Sequence, residues 1–260
     1  MGYGDVKALN PSGKIKTPYI DTLAKEGISF LDAHSTSSVC TPSRYGLLTG
    51  RYNWRSHLQG GVLANEILTS KHGTQLITKD RMTLGTLLQK EGYKTAIFGK
   101  WHLGFQFDLS SNSKQTSRRT PQRKSKRSTG FPIGTKIIGG PTDLGFDYYY
   151  GFHHAQIMRT LYENNKIIEE IDEIKVLPRL QEKVITYIHD YAKTNKNDLK
   201  NDNREKNDQD ISPFFIYMAL SSPHTPVVPS KEFQNKLCPV GSYGNFVIQT
   251  DSVVGNVSNT

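Results

Sequence analysis

Five residues carry side chains that could do chemistry together. Cys40 and Arg44 lie four apart in VCTPSRYGLLTGR, so on a helix they share one face a turn apart. A cysteine there reads in two ways. It is a small buried hydrophobe, or it is a reactive group at a helix N-terminus, where open backbone N–H groups and the dipole favour an anion. Lys100 and His102 fall in GKWHLG, and His224 falls in SSPHTP. Taken singly, each histidine is an ordinary hydrogen-bonded residue, Lys100 an exposed charge and Arg44 a packing or capping partner. Gathered in one place, two imidazoles, a guanidinium, an ammonium and a nucleophile make a cationic pocket for a small tetrahedral oxyanion. A bare thiolate is a poor match for that pocket, because the anion would repel it.

The elements that must gather these residues are legible as alternating helix and strand patterns. Thr17-Pro18 followed by Ile20, Leu23 and Ala24 predicts a helix with proline in its first turn, closed by Gly27. Ile28 to Leu31 then reads as a short strand leading towards Cys40. Thr83 to Lys90, with Leu84, Leu87 and Leu88 on one face, predicts a second helix; Tyr93 to Phe98 predicts a strand after it. Leu180, Val184, Tyr187, Ile188 and Tyr191 repeat at helical spacing, and Phe214 to Leu220 is an apolar run suited to a buried strand. Such alternation predicts an α/β layered fold. Ligands of such sheets sit beyond the carboxyl ends of strands, which is where Lys100, His102 and His224 fall. That convergence favours the reactive reading of Cys40.

At 260 residues the chain can bury a substantial core. The formal net charge of +9 suggests nucleic acid until it is located. Seven basic residues and no acidic one lie between Lys114 and Arg127, and the remainder is close to balanced. The surrounding segment, 110–130, lacks apolar periodicity and is expected to be a flexible insertion, as is the polar stretch 194–210. Nucleic acid and membrane are therefore not expected partners. No apolar run approaches a bilayer span and no signal peptide opens the sequence. Cys40 and Cys238 are too few for a disulfide scaffold.

Cys40-Thr41-Pro42-Ser43-Arg44, continuing through Gly46-Leu47-Leu48-Thr49-Gly50-Arg51, resembles the signature of the formylglycine-dependent sulfatases, in which Cys-x-Pro-x-Arg directs oxidation of the cysteine to an aldehyde. Gly99 to Gly104, GKWHLG, resembles the second signature of that family. GYGD at the start, GFDYYYGF at Gly145 to Phe152, PFFIYMALSSPHTPVVPS at Pro213 to Ser230 and YGNFVIQTDSVVG at Tyr243 to Gly255 follow in family order. The match is nearest to arylsulfatase-like members.

The resemblance implies an α/β/α sandwich of the alkaline-phosphatase/sulfatase type with a mixed central sheet. It implies sulfuric ester hydrolysis, with Cys40 as the formylglycine nucleophile and a calcium ligand, and Arg44 steadying the hydrated aldehyde. Lys100 would hold sulfate oxygens, His102 would take a proton during sulfate release, and His224 would help protonate the departing alcohol. The implied partners are a sulfated small molecule or sulfated carbohydrate and the formylglycine-generating enzyme. The implied location of the full-length parent is secreted, periplasmic or lysosomal. Family members carry an Asp-Asp pair just before the GYG and a later Asp-Asn pair, so the chain is expected to be a partial catalytic domain, incomplete at both ends, with Cys40 as the one placeable metal ligand. Asp5 and Asp251 are expected to be turn or cap residues. Hydrolysis of phosphonates or phosphodiesters on the same scaffold, and an inactive fragment that binds anions, are the competing expectations.

Overall fold

The computed structural model describes residues 1–63, 68, 74–108, 127–201, 212–235 and 238–260, with helices α1 (Pro18–Glu26), α2 (Cys40–Thr49), α3 (Leu84–Lys90), α4 (Glu173–Asn201), α5 (Lys231–Gln234) and α6 (Gly241–Ser258). The strands are β1 (Lys94–Lys100), β2 (Gln106–Asp108), β3 (Lys136–Ile138), β4 (Tyr148–Phe152), β5 (Thr160–Glu163), β6 (Lys166–Glu170) and β7 (Phe214–Ala219). The chain divides into two compact units. One comprises Met1–Ala33, Asp172–Asp210 and Leu220–Thr260; the other comprises His34–Ile171 and Ile211–Ala219.

All seven strands belong to the second unit and form one mixed sheet in the order β2-β3-β6-β5-β4-β1-β7. β1 runs parallel to both β4 and β7, while the β4-β5, β5-β6, β3-β6 and β2-β3 pairs are antiparallel. β1, buried at six of its seven positions, lies between β4 and the edge strand β7. Its neighbours can come close only because Gly99 pairs with Gly151: a Cβ on Gly151 would overlap the Gly99 carbonyl. Gly99 also takes φ 111°, a left-handed value that turns the strand end. The core on this sheet includes Tyr45, Leu48, Ile97, Trp101, Phe105, Phe146 and Tyr149.

α3 begins as its sequence dictates. The Thr83 hydroxyl accepts the Thr86 N–H at 3.0 Å and the Thr86 hydroxyl accepts the Thr83 N–H at 2.7 Å, a reciprocal cap. In the first unit, α1 and α4 both pack on α6. A side chain at Gly255 would collide with the Tyr19 ring, so glycine sets how closely α1 and α6 approach. Asp251 accepts N–H bonds from Tyr19 at 3.3 Å and Ile20 at 2.8 Å, capping α1 from another helix. Burial raises its pKa from the ordinary aspartate value, against the pull of those two N–H groups. Asp5 accepts from the Gly2 N–H and from the Tyr243 hydroxyl at 2.7 Å. Both aspartates are the turn and cap residues expected.

One expectation is corrected. Ile28 to Leu31 is not a strand, and Ile28, Phe30 and Leu31 are at least 73% exposed. The expected insertion from 194 begins helical, as α4 continues to Asn201. The end of the other expected insertion is packed: Ser128 and Thr129 are buried, and the Thr129 N–H bonds to the Thr160 hydroxyl at 2.9 Å. Residues 110–126 and 202–210 lie outside the described residues. No helix among the described residues is long and apolar enough to cross a membrane.

Candidate active site

α2 starts at Cys40, with Val39 as its N-cap and no side-chain hydrogen bond closing that end among the described residues. The N-terminal turn is thus open at Cys40, where the helix dipole favours negative charge. Thr41 anchors this turn: its hydroxyl donates to the His102 carbonyl at 3.2 Å and accepts the Leu63 N–H at 3.3 Å. One turn along, Arg44 donates through Nη1 to the Lys100 carbonyl at 2.6 Å and to the Tyr217 hydroxyl at 3.3 Å. Two backbone carbonyls at the end of β1 therefore tie the helix to the sheet, and Cys40 arrives beside the side chain of Lys100.

Lys100 is 3% exposed, and its ammonium is in hydrogen-bonding contact with the Cys40 side chain. Burial pushes the ammonium below its usual pKa; the Cys40 side chain opposes that shift and the Arg44 charge adds to it. An anion seated between them would relieve both the desolvation and the like-charge repulsion. A cleft of about 630 Å³ opens on this point, lined by His34, Ser35, Thr36, Cys40, Arg44 and Tyr217 among others.

His102 follows β1 in a left-handed conformation, φ 58°, which is unusual for a residue with a Cβ. Its Nε2 lies 2.5 Å from the Leu63 carbonyl, and a carbonyl can only accept, so Nε2 carries the proton. Nδ1 is then a bare acceptor, buried and without a hydrogen-bond partner among the described residues. Burial, reinforced by the Lys100 charge, lowers the His102 pKa to about 2. The ring is accordingly neutral, with its lone pair at Nδ1.

Four of the five sequence-derived residues, Cys40, Arg44, Lys100 and His102, thus fall in one unit and around one strand end. His224 belongs to the other unit, in an exposed turn where its Nδ1 donates to the Thr225 carbonyl at 2.6 Å. Sequence reasoning overlooked His153 and His154, both buried immediately after β4. The signal was present: a histidine doublet directly follows the β-rich run YYYGF, at the end of a strand that proves parallel to β1.

A family model for sulfatases matches residues 1–260. The chain belongs to the sulfatase family. It is 28% identical to an N-acetylgalactosamine-6-O-sulfatase of Bacteroides thetaiotaomicron over 284 residues, covering 100% of this chain and 53% of that one. Against human arylsulfatase G the identity is 30% over 275 residues, covering 100% and 46%. The chain spans about half the length of these curated relatives. Among solved structures, Ps i-CgsB in complex with k-i-k-neocarrahexaose superposes with a TM-score of 0.69 at 25% identity, covering 100% of this chain and 52% of that one. A Bacteroides thetaiotaomicron structure from work on glycosaminoglycan metabolism gives 0.71 at 21% identity, covering 99% and 56%. The mixed α/β architecture of this sulfatase-family chain is the alkaline-phosphatase-like fold of those structures, as its sequence led one to expect.

Calcium fits the described residues poorly. A hard dication takes about six to eight oxygen ligands, whereas the groups around Cys40 are cationic or hydroxylic and no carboxylate lines the cleft among the described residues. Nor do any three histidines, cysteines, aspartates or glutamates among them group as a metal site. The metal role expected of Cys40 has no companion ligands there, and no step below runs through a metal.

Proposed function

We propose that the protein hydrolyses sulfuric esters, with Cys40, oxidised to formylglycine, as its nucleophile. The observation that supports this most is the pairing of Cys40 with a buried, positively charged Lys100 at the open end of α2, with Arg44 one turn along. Formylglycine supplies a hydrated aldehyde whose hydroxyl groups attack and later release sulfate, a second step that a thiol cannot perform. The chain's own residues supply the rest. Lys100 binds and neutralises the sulfate oxygens, and the N-terminus of α2 adds to that field. Arg44 is fixed by the Lys100 carbonyl and Tyr217, and holds the nucleophile's charge in place. His102 takes a proton at Nδ1, its ring nitrogen without a hydrogen-bond partner among the described residues. His224 is the proposed proton donor to the departing alcohol.

The proposed substrates are sulfated carbohydrates, in keeping with the N-acetylgalactosamine-6-O-sulfatase relative and the neocarrahexaose complex of the structural neighbour. The formylglycine-generating enzyme is the proposed partner for maturation, and a secreted, periplasmic or lysosomal location the proposed one. Paired assays with an aryl sulfate and an aryl phosphodiester test the reading, using chain produced with that maturing enzyme. Sulfate turnover lost in Cys40→Ala is the expected result. Phosphodiester turnover exceeding sulfate turnover would overturn the substrate class, and equal activity in Cys40→Ala would overturn the nucleophile.

A further inference from the structure

The two histidines after β4 have no part in the chemistry just described, yet they are buried against His102. Register brings them there: Lys100 pairs with Phe152 in parallel strands, so the residues that follow each strand leave the sheet at the same edge. The Gly104 N–H points at His153 Nε2, 3.2 Å away. An amide N–H can only donate, so this nitrogen accepts, and neutral His153 carries its proton on Nδ1. That proton lies on the 2.7 Å line to His154 Nδ1, which must accept it. The His154 ring lies nearly parallel to His102, 5.1 Å between centroids and 8° between planes, while His153 meets the His102 ring edge-on at 5.5 Å and 79°. Phe105 closes the far side, edge-on to His153 at 4.9 Å.

We propose that His153 and His154 are positioning residues: a hydrogen-bond chain from the Gly104 amide through His153 orients His154, whose ring face holds His102 with Nδ1 bare as the proton acceptor. Each link has a fixed direction. One backbone donor at Gly104 and one backbone acceptor at Leu63 set the tautomers of His153 and His102 from opposite ends. The charges that face this cluster are Lys100 and Arg44, both positive, so the chain works with neutral rings. His153 is held well below the usual imidazole pKa by burial first, then by its two histidine neighbours and Lys100. A free imidazole at His102 could rotate and offer an N–H where a lone pair is needed; the stacked His154 ring prevents it. This inference rests on the reading of His102 as proton acceptor, but its geometry can be tested without turnover.

Nitrogen-15 histidine NMR on the full chain is the test. The expected spectrum shows His153 protonated at Nδ1, His102 protonated at Nε2, and a nitrogen–nitrogen coupling across the His153–His154 hydrogen bond. Absence of that coupling, or His153 protonated at Nε2, overturns the proposal even if every variant fails to fold. His154→Ala should mix the two His102 tautomers and lower kcat for an aryl sulfate about tenfold to a hundredfold with KM little changed. His154→Phe, which keeps a flat ring, should restore both the single tautomer and most of kcat. Unchanged His102 nitrogen shifts in His154→Ala would refute the positioning role. The expected spectra in a chain that turns over no sulfate ester would sustain the positioning while refuting the proposed function.

Discussion

Acid should destabilise the sheet-bearing unit through its buried imidazoles, by an amount set by His102. Between pH 7.5 and pH 5 the unfolded chain protonates His102, whose ordinary pKa is 6.5, while the native ring, with its pKa lowered to about 2, stays neutral. The unfolded state then binds more protons than the native state. Stability is unaffected well above 6.5 and falls as pH drops below that value, the sign expected for a depressed base. Linkage at 1.36 kcal/mol per pH unit gives a loss of about 2 kcal/mol over this range for one such group. His153, held well below its ordinary value by burial, shifts stability in the same direction. Both tryptophans, Trp54 and Trp101, lie in this unit, and Trp101 is 1% exposed, so tryptophan fluorescence during urea unfolding reports on the right part of the chain. The variant His102→Gln keeps an N–H for the Leu63 carbonyl but cannot titrate. Its stability should drop about 2 kcal/mol less than the parent's between the two pH values. An equal drop in parent and variant would refute the neutral, buried His102 on which the mechanism depends.

Three further outcomes follow from packing and charge. Gly151→Ala should cost about 3 kcal/mol in chemical denaturation, because the added methyl meets the Gly99 carbonyl rather than a flexible side chain; a cost near zero would mean that the paired glycines do not set the β1-β4 approach. Lys100→Met should raise the melting temperature, since it removes a desolvated charge beside Arg44, while abolishing the protection that inorganic sulfate gives against thermal unfolding; retained sulfate protection would show that the anion sits elsewhere. Asp251→Ala should cost about 1–2 kcal/mol, read by circular dichroism, by uncapping the N–H groups of Tyr19 and Ile20; an unchanged melting curve would show that the cap is dispensable.

The parts of the fold that the sequence makes legible are those whose cause is local. Proline in the first turn of α1, the Thr83 cap of α3 and the apolar runs of β1 and β7 each announce an element within a few residues. The Cys40-Arg44 spacing likewise places both residues on one face of α2, and GKWHLG marks the strand end that meets it. What was illegible depends on partners far along the chain. Ser128 and Thr129 are polar and read as loop, but their burial is made affordable by hydroxyl and amide bonds to Thr160 and by the Ser128 bond to Glu170. The His153-His154 doublet gains meaning only from the β1-β4 register. Ile28 to Leu31 carries strand propensity, but no described neighbour pairs with it, and propensity alone makes no ladder.

The proposed mechanism requires Cys40 to act as an aldehyde and not as a thiol. The mass of the tryptic peptide Glu26–Arg44 decides it, taken from chain produced with the formylglycine-generating enzyme and compared with chain produced without it. The aldehyde mass at Cys40 is expected in the first sample and the intact thiol in the second. An intact thiol in both, with a known sulfatase converted in parallel, would contradict it.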